Sequence, residues 1–187
     1  MFRYLTSAIA LFVAVGLPAS AQQSSTKDKP LDVRSSVGDL HVGKDADAQK
    51  AGLPLYPGAR PKHEDDNEPL NLSILTESLG LKLIVVKYES DDAPAKVIAF
   101  YRDKLKKYGK VLECHSQKHD GDVEVHGSKD SGSDRELTCD DSSGPVTELK
   151  AGTEDNQHIV AIEPQDNAKG SAFTIVYLYN RDKKGDL

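Results

Sequence analysis

One helical segment, residues 91–109, constrains the fold of this 187-residue chain more than any other stretch. Pro94 suits the first turn of a helix, where a missing backbone donor costs nothing, and Gly109 is a typical stop. Between them the apolar side chains recur at offsets of three and four residues, which places them on one face of a helix spanning residues 93–108. They are Val97, Phe100, Tyr101, Leu105 and Tyr108. This one-sided stripe predicts a helix that covers a flat apolar surface, with its aromatic rings in the core.

The segments around the helix indicate strands and turns. Alternating or β-branched apolar runs occur on both sides of the helix, and Gly, Pro, Asn and Asp clusters separate them. The strongest runs are at residues 70–75, 81–89, 157–163 and 172–179, with weaker ones at 31–42, 110–116, 136–139 and 146–149. We therefore predict one α+β domain over residues 31–180. It should contain a mostly antiparallel sheet of five to seven strands, with the one main helix packed on one face.

The N-terminal residues have the pattern of an export signal. Arg3 precedes an apolar stretch that is too short for a bilayer span, and Ala19-Ser20-Ala21 places small residues where signal peptidase cleaves. We expect a signal peptide at residues 1–21, a flexible tail at 22–30, and a charged C-terminal tail at 181–187. The mature protein should be periplasmic or secreted, with no membrane span after signal cleavage.

The formal charge of the chain is −6, which argues against nucleic acid as a partner. Its clearest basic cluster, Lys104, Lys106 and Lys107, lies in the last turn of the predicted helix. Cations at that position interact favourably with the helix dipole, so the cluster needs no anionic partner to explain it.

Two cysteines, Cys114 and Cys139, follow the predicted signal peptide. An isolated pair in an oxidising compartment predicts a disulfide, and only one intramolecular pairing exists. Residues 136–139 are expected to form a strand beside the one that holds Cys114, which would bring the sulfurs together. The alternative, a reactive thiol or thiolate metal ligand, lacks a CxxC motif or a second close cysteine.

A proline-rich elbow, residues 52–61, precedes the central strands. Its prolines restrict the backbone, and Pro57-Gly58 fits a type II turn that presents Leu55 and Tyr56 to the core or to a partner. The stretch Leu-Pro-Leu-Tyr-Pro-Gly-Ala, together with the Val-Ile-Ala-Phe-Tyr-Arg-Asp-Lys-Leu helix, resembles short exported bacterial proteins of unknown function with a PxYPGA elbow and a VxxFYRxxL helix. The resemblance covers roughly residues 50–115. It implies a small domain of the bacterial envelope and no particular activity.

One segment has side chains of the metal-ligand type. They are His115, His119, Asp122, Glu124 and His126. Asp122, Glu124 and His126 would share one face of a strand, and the imidazoles favour Zn²⁺ or Cu²⁺ over Ca²⁺. The same alternation is also typical of the polar face of a solvent-exposed strand.

No motif in the sequence assigns catalytic residues or a cofactor-binding set. GxSxG and a Gly-rich phosphate loop after a strand are both missing from the sequence. The interpretation that fits best is a non-catalytic binding or interaction module, whose partner is a protein or another component of the envelope. A divalent metal-binding protein using residues 115–126 is the alternative, and a hydrolase is the third possibility.

Overall fold

The computed structural model describes residues 30–62, 69–117, 136–139, 143–165 and 169–182. This part of the chain forms one nine-stranded antiparallel sheet with one α-helix. The strands are β1 (Leu31–Ser35), β2 (Gly38–Gly43), β3 (Arg60–Pro61), β4 (Leu70–Thr76), β5 (Leu79–Ser90), β6 (Leu112–Ser116), β7 (Val146–Thr153), β8 (Asn156–Pro164) and β9 (Ser171–Asp182). The helix α1 (Pro94–Leu105) continues into a 3-10 turn (Lys106–Tyr108).

The α+β class and the antiparallel sheet with one main helix are confirmed, but the predicted five to seven strands are too few. The additional strands are short, and β3 has only two residues, so it leaves no periodic pattern in the sequence. It forms because the upper part of β5, from Tyr88 to Glu89, extends past β4 and offers unpaired backbone groups to Arg60 and Pro61. β9 also continues to Asp182, past the predicted end of the domain at residue 180.

The strand order is β1-β2-β4-β5-β9-β8-β7-β6. The two longest strands, β5 and β9, pair along their whole length at the centre, from Leu79 opposite Asp182 to Ser90 opposite Ser171. β1 and β6 are the two edges. Successive side chains on each strand point to opposite faces, so this register assigns every strand residue to one of two faces.

The helix packs across β7, β8 and β9. Val97, Tyr101 and Leu105 are fully buried, whereas Phe100 and Tyr108 are half-buried at the sides of the stripe. The sheet contributes one face to this core, through Ile84, Val86, Tyr88, Leu149, Ala151, Val160, Ile162, Phe173 and Ile175. The stripe is therefore core, as its spacing predicts.

The elbow contacts the helix through buried side chains and one backbone hydrogen bond. Leu53 and Tyr56 are buried in the same core, and the backbone N–H of Tyr56 donates to the Tyr101 hydroxyl at 3.1 Å. The predicted turn is present, because Ala59 N–H donates to the Tyr56 carbonyl at 3.0 Å and Gly58 has a φ of 76°. Leu55 is 42% exposed, so only one of the two presented side chains enters the core.

Cys114 and Cys139 form a disulfide, as predicted, with their Cα atoms 5.5 Å apart. The predicted strand at residues 136–139 is wrong, because this segment makes only one isolated bridge, from Glu136 to Thr153 of β7. Thr153 lies beyond the last β7 residue that pairs with β6, so its outer backbone groups are available. The bridge and the disulfide together hold the segment along the β6 edge.

Across the described residues, no helix has the length and apolar character needed to cross a bilayer.

Candidate functional site

The structure tests only part of the predicted metal set. His115 lies on β6 opposite Thr147, where it is exposed on the helix side of the sheet. His119, Asp122, Glu124 and His126 lie outside the described residues. Within the described ranges, no three His, Cys, Asp or Glu side chains are grouped so that they could hold a metal ion. Metal binding by the 115–126 segment stays a prediction.

His41 lies in an ion-pair cluster on the helix side of β1 and β2. Its Nδ1 is 2.7 Å from Asp32, and its Nε2 is 3.2 Å from Asp45. The hydrogen bond with Asp32, together with the contact with Asp45, raises the pKa of His41 above its usual value. Asp45 also accepts from Lys50 and Asn71, and the Lys50 hydrogen bond is the largest cause of its lowered pKa. Because both ring nitrogens of His41 contact carboxylates, the side chain links β2 to β1 and to the chain that follows β2. Neither nitrogen is free to activate a hydroxyl.

His158 is a structural histidine in the core. Its Nδ1 donates to the Ala51 carbonyl at 3.0 Å, and its ring lies between Tyr108, at 3.5 Å between centroids, and Tyr177, at 4.7 Å. Burial lowers the pKa of His158 to about 4, so the ring is neutral near pH 7. Tyr108 in turn donates its hydroxyl to the Gly52 carbonyl. The stack therefore fastens the end of the helix and the turn before the elbow onto β8 and β9.

A shallow, open depression of about 500 Å³ lies beside this stack. It is lined by Gln49, Gly52, Leu53, Pro54, Lys104 and Lys107. Lys107 donates to the Gly52 carbonyl at 2.8 Å, and Lys104 pairs with Asp103 at 3.2 Å, so both cations that line the depression already have partners.

The largest candidate surface is the sheet face opposite the helix, which we call the open face. The helix, the turn near residue 50 and the elbow all pack on the other face. Apolar side chains on the open face come from β1, β2, β4, β5, β9 and β8. They are Leu31, Val33, Leu40, Val42, Leu70, Leu72, Ile74, Leu81, Leu83, Val85, Val176, Leu178 and Ile159.

The register aligns these side chains in rows that cross the sheet. One row consists of Leu31, Val42, Leu72, Leu83 and Leu178, with a shorter row on each side of it. With strands about 4.8 Å apart and rows about 6.7 Å apart, five strands and three rows cover on the order of 450 Å². The largest apolar patch on a typical monomeric protein covers about 300–600 Å² and is often functional.

Exposure on the open face increases from the centre to the edge. Val176 and Leu178 on the central strand β9 are 3% and 6% exposed, yet they lie outside the core cluster beneath the helix. At the β1 edge, Val33 and Leu31 are 46% and 55% exposed.

The end of the open face opposite β1, at β6 and β7, is polar and carries the Cys114–Cys139 disulfide. Cys114 and Ser116 point to this side, and the Ser116 hydroxyl donates to Glu148 at 2.6 Å. Glu148 also pairs with Lys150 at 3.2 Å. The apolar patch thus gives way to a polar region at β6 and β7.

The sequence contains a sign of this surface that residue-by-residue reasoning missed. In β5 the buried residues Ile84, Val86 and Tyr88 alternate with Leu81, Leu83 and Val85, so both faces of the strand are apolar. A strand with only one packed face alternates between apolar and polar residues. The departure from alternation shows that the second face is also suited to contact.

Comparison of the chain with models of protein families, with curated proteins and with solved structures gave no match.

Proposed function

We propose that this chain is an exported, non-catalytic binding module that docks an apolar surface of a partner protein in the cell envelope on its open face. The observation that carries the proposal is the apolar surface itself, which crosses five strands without a charged side chain in its central row. Export is supported by the N-terminal leader pattern and by the Cys114–Cys139 disulfide, which is typical of oxidising compartments.

Two of the three described histidines, His41 and His158, have structural roles, which favours binding over catalysis at these two residues. His41 is held by two carboxylates, and His158 is neutral, buried and stacked between two tyrosines. A general base needs a free ring nitrogen within reach of the proton that it removes. His41, Asp45 and His158 join elements of the fold, whereas the apolar side chains of the open face lie outside the core beneath the helix.

The proposal places the partner's contact in the middle of the sheet. Leu72 and Leu83 are half-buried neighbours in the central row. They do not lie on the β1 edge, so a probe at either position detects contacts made on the open face. An interface of this kind has an apolar centre and a polar rim. Glu148 and Lys150 would lie in that rim.

Site-specific photo-crosslinking in the native envelope tests the proposal. A photoreactive side chain at Leu72 should capture one discrete envelope protein, identified by mass spectrometry. Leu75 provides a matched control, because it lies on the same strand, is 43% exposed and points to the helix side. Thermal unfolding of both variants confirms that the fold is retained.

Capture from position 72 that is absent from position 75 supports the open face as the docking surface. Capture of lipid alone at position 72, equal capture at both positions, or no capture at either would each refute the proposal. A competition step sharpens the result, since the variant Leu83→Lys should abolish capture from position 72. That substitution places a charge in the central row, where a docked partner would have to desolvate it.

A further inference from the structure

Strand β1 leaves one edge of the sheet open. All five of its residues are exposed, and within the described part of the chain it pairs only with β2. Half of the backbone N–H and C=O groups of an edge strand point away from its neighbour, toward solvent. Such an edge is a template for another strand unless the sequence prevents pairing.

The sequence of β1, Leu31-Asp32-Val33-Arg34-Ser35, is complementary to itself in the antiparallel direction. When two copies meet about a two-fold axis at Val33, Asp32 lies directly opposite the partner's Arg34. The same pair recurs on the other side of the axis, because an isologous contact uses each residue pair twice. Pro30, which has no backbone donor, limits the ladder to these five residues.

The charges of the neighbouring strands extend this complementarity. His41 lies beside Asp32 on β2 at 2.7 Å, and Asp39 is the β2 neighbour of Arg34. A symmetric pairing at Val33 would therefore place Asp32, the second copy's Arg34 and its Asp39 in one row of alternating charge, and His41 extends the row when it is protonated. Among the described residues Arg34 has no ion-pair partner, so its guanidinium is available for this contact.

The apolar side chains of β1 fit the same register. Val33 is 46% exposed on the open face and would lie opposite the partner's Val33. Directly opposite residues in an antiparallel pair have Cα atoms about 4.5–5.5 Å apart, so the two valines would bury each other. The open faces of the two copies would then form one continuous surface.

We propose that β1 is the contact through which two copies of this chain form a symmetric antiparallel dimer with one continuous sheet. The contact is short, so the dimer is a reversible one whose population rises with protein concentration. It uses the edge of the sheet and not the centre of the open face, so its test is independent of the crosslinking experiment at Leu72.

Charge exchange tests the register. Sedimentation velocity over a concentration series should show a monomer–dimer equilibrium for the wild-type protein. Arg34→Asp replaces two attractive cross-strand pairs with two repulsive ones and should raise the dimer dissociation constant roughly 10- to 30-fold. The double variant Asp32→Arg with Arg34→Asp restores opposite charges across the contact and should recover most of the dimer.

Cysteine crosslinking tests the two-fold axis directly. A cysteine at Val33 should form an intermolecular disulfide on mild oxidation, because residues that face each other at this distance fall within the bridging range. Val37→Cys is the matched control, since Val37 is 75% exposed in the turn after β1 and lies away from the axis. Peptide mapping distinguishes the new bridge from exchange with Cys114 or Cys139.

Recovery of the dimer in the double variant, with a crosslink at position 33 and none at position 37, supports the proposal. A wild-type protein that stays monomeric at all concentrations would overturn it, and the charges of β1 would then serve to block edge pairing. A dimer that is equally stable in Arg34→Asp would also overturn it, because the contact would lie elsewhere. Circular dichroism of each variant excludes loss of the fold as the cause of dissociation.

Discussion

The hydroxyl of Tyr101 is the acceptor that joins the helix to the elbow. Tyr101 is fully buried, and its oxygen receives the backbone N–H of Tyr56 at 3.1 Å. The change Tyr101→Phe keeps the ring and its contacts with Phe100 and Phe173 but removes the acceptor. It therefore isolates one hydrogen bond from the packing around it.

The expected magnitude follows from what the removed oxygen leaves behind. A buried hydrogen bond contributes a net of about 1 kcal/mol, and a buried donor left without a partner costs about 1–3 kcal/mol. Tyr56 is 7% exposed, so its N–H has little access to solvent. We expect Tyr101→Phe to lower the free energy of unfolding by about 2 kcal/mol, which is roughly 4–8 °C in melting temperature for a domain of this size.

Urea unfolding followed by far-ultraviolet circular dichroism measures the change, because the chain contains no tryptophan. Tyr179→Phe is the matched control. Tyr179 is half-buried and its hydroxyl has no hydrogen-bond partner among the described residues, so its loss should change stability by less than about 0.5 kcal/mol. Amide hydrogen exchange provides a local readout, and the Tyr56 amide should exchange faster in Tyr101→Phe. Equal stability losses in the two variants, or unchanged exchange at Tyr56, would refute the reasoning.

Three further predictions concern pH, the disulfide and metal binding. His158 has a pKa of about 4 in the folded state, below its ordinary value of about 6.5, so the unfolded chain binds more protons between these values. Acidification from about pH 7.5 to about pH 5.5 should therefore lower the free energy of unfolding by up to about 1.4 kcal/mol per pH unit through this residue. In urea titrations, the variant His158→Gln should lack this contribution. The raised pKa of His41 acts in the opposite direction, because protonation of His41 favours the folded state. The free energy of unfolding of His41→Gln should therefore fall more steeply on acidification than that of the wild-type protein. Replacing Cys114 and Cys139 together by Ala should lower stability by about 3 kcal/mol in urea unfolding, and two thiols that alkylate without reduction in periplasmic material would contradict the disulfide. Calorimetric titration with Zn²⁺ and Cu²⁺ should show micromolar binding that weakens in His115→Ala, and the absence of binding to the wild-type protein would end the metal hypothesis.

Much of the fold can be predicted because its strongest elements are local. The helix follows from Pro94, Gly109 and the spacing between them, and the elbow turn follows from Pro57-Gly58, since each depends on a few neighbouring residues. The segment at residues 136–139 could not be placed in this way. Its pairing with Thr153 depends on where β6 ends, which is a property of the assembled sheet.

The candidate surface was harder to predict for the same reason. The leucines of its central row are separated by up to 147 positions in the chain, from Leu31 to Leu178, and only the strand order makes them neighbours. The ion-pair cluster of His41 is similar, since Asp32 meets the ring through the β1–β2 register and Asp45 through the chain that follows β2. No spacing rule identifies such contacts.

The sequence by itself determined the amphipathic helix, the proline elbow, the strand character of β5 and β9, and the one possible disulfide pair. These features depend on backbone preferences, side-chain periodicity and the number of cysteines, all of which act over short distances or need no geometry. The tertiary structure decided which face of the sheet the helix covers, and therefore which leucines remain on the surface. That choice depends on the pairing order of nine strands, because a shift of one residue in register would exchange the two faces. The sequence thus supplied two apolar faces for β5, and the fold placed one in the core beneath the helix and the other on the open face.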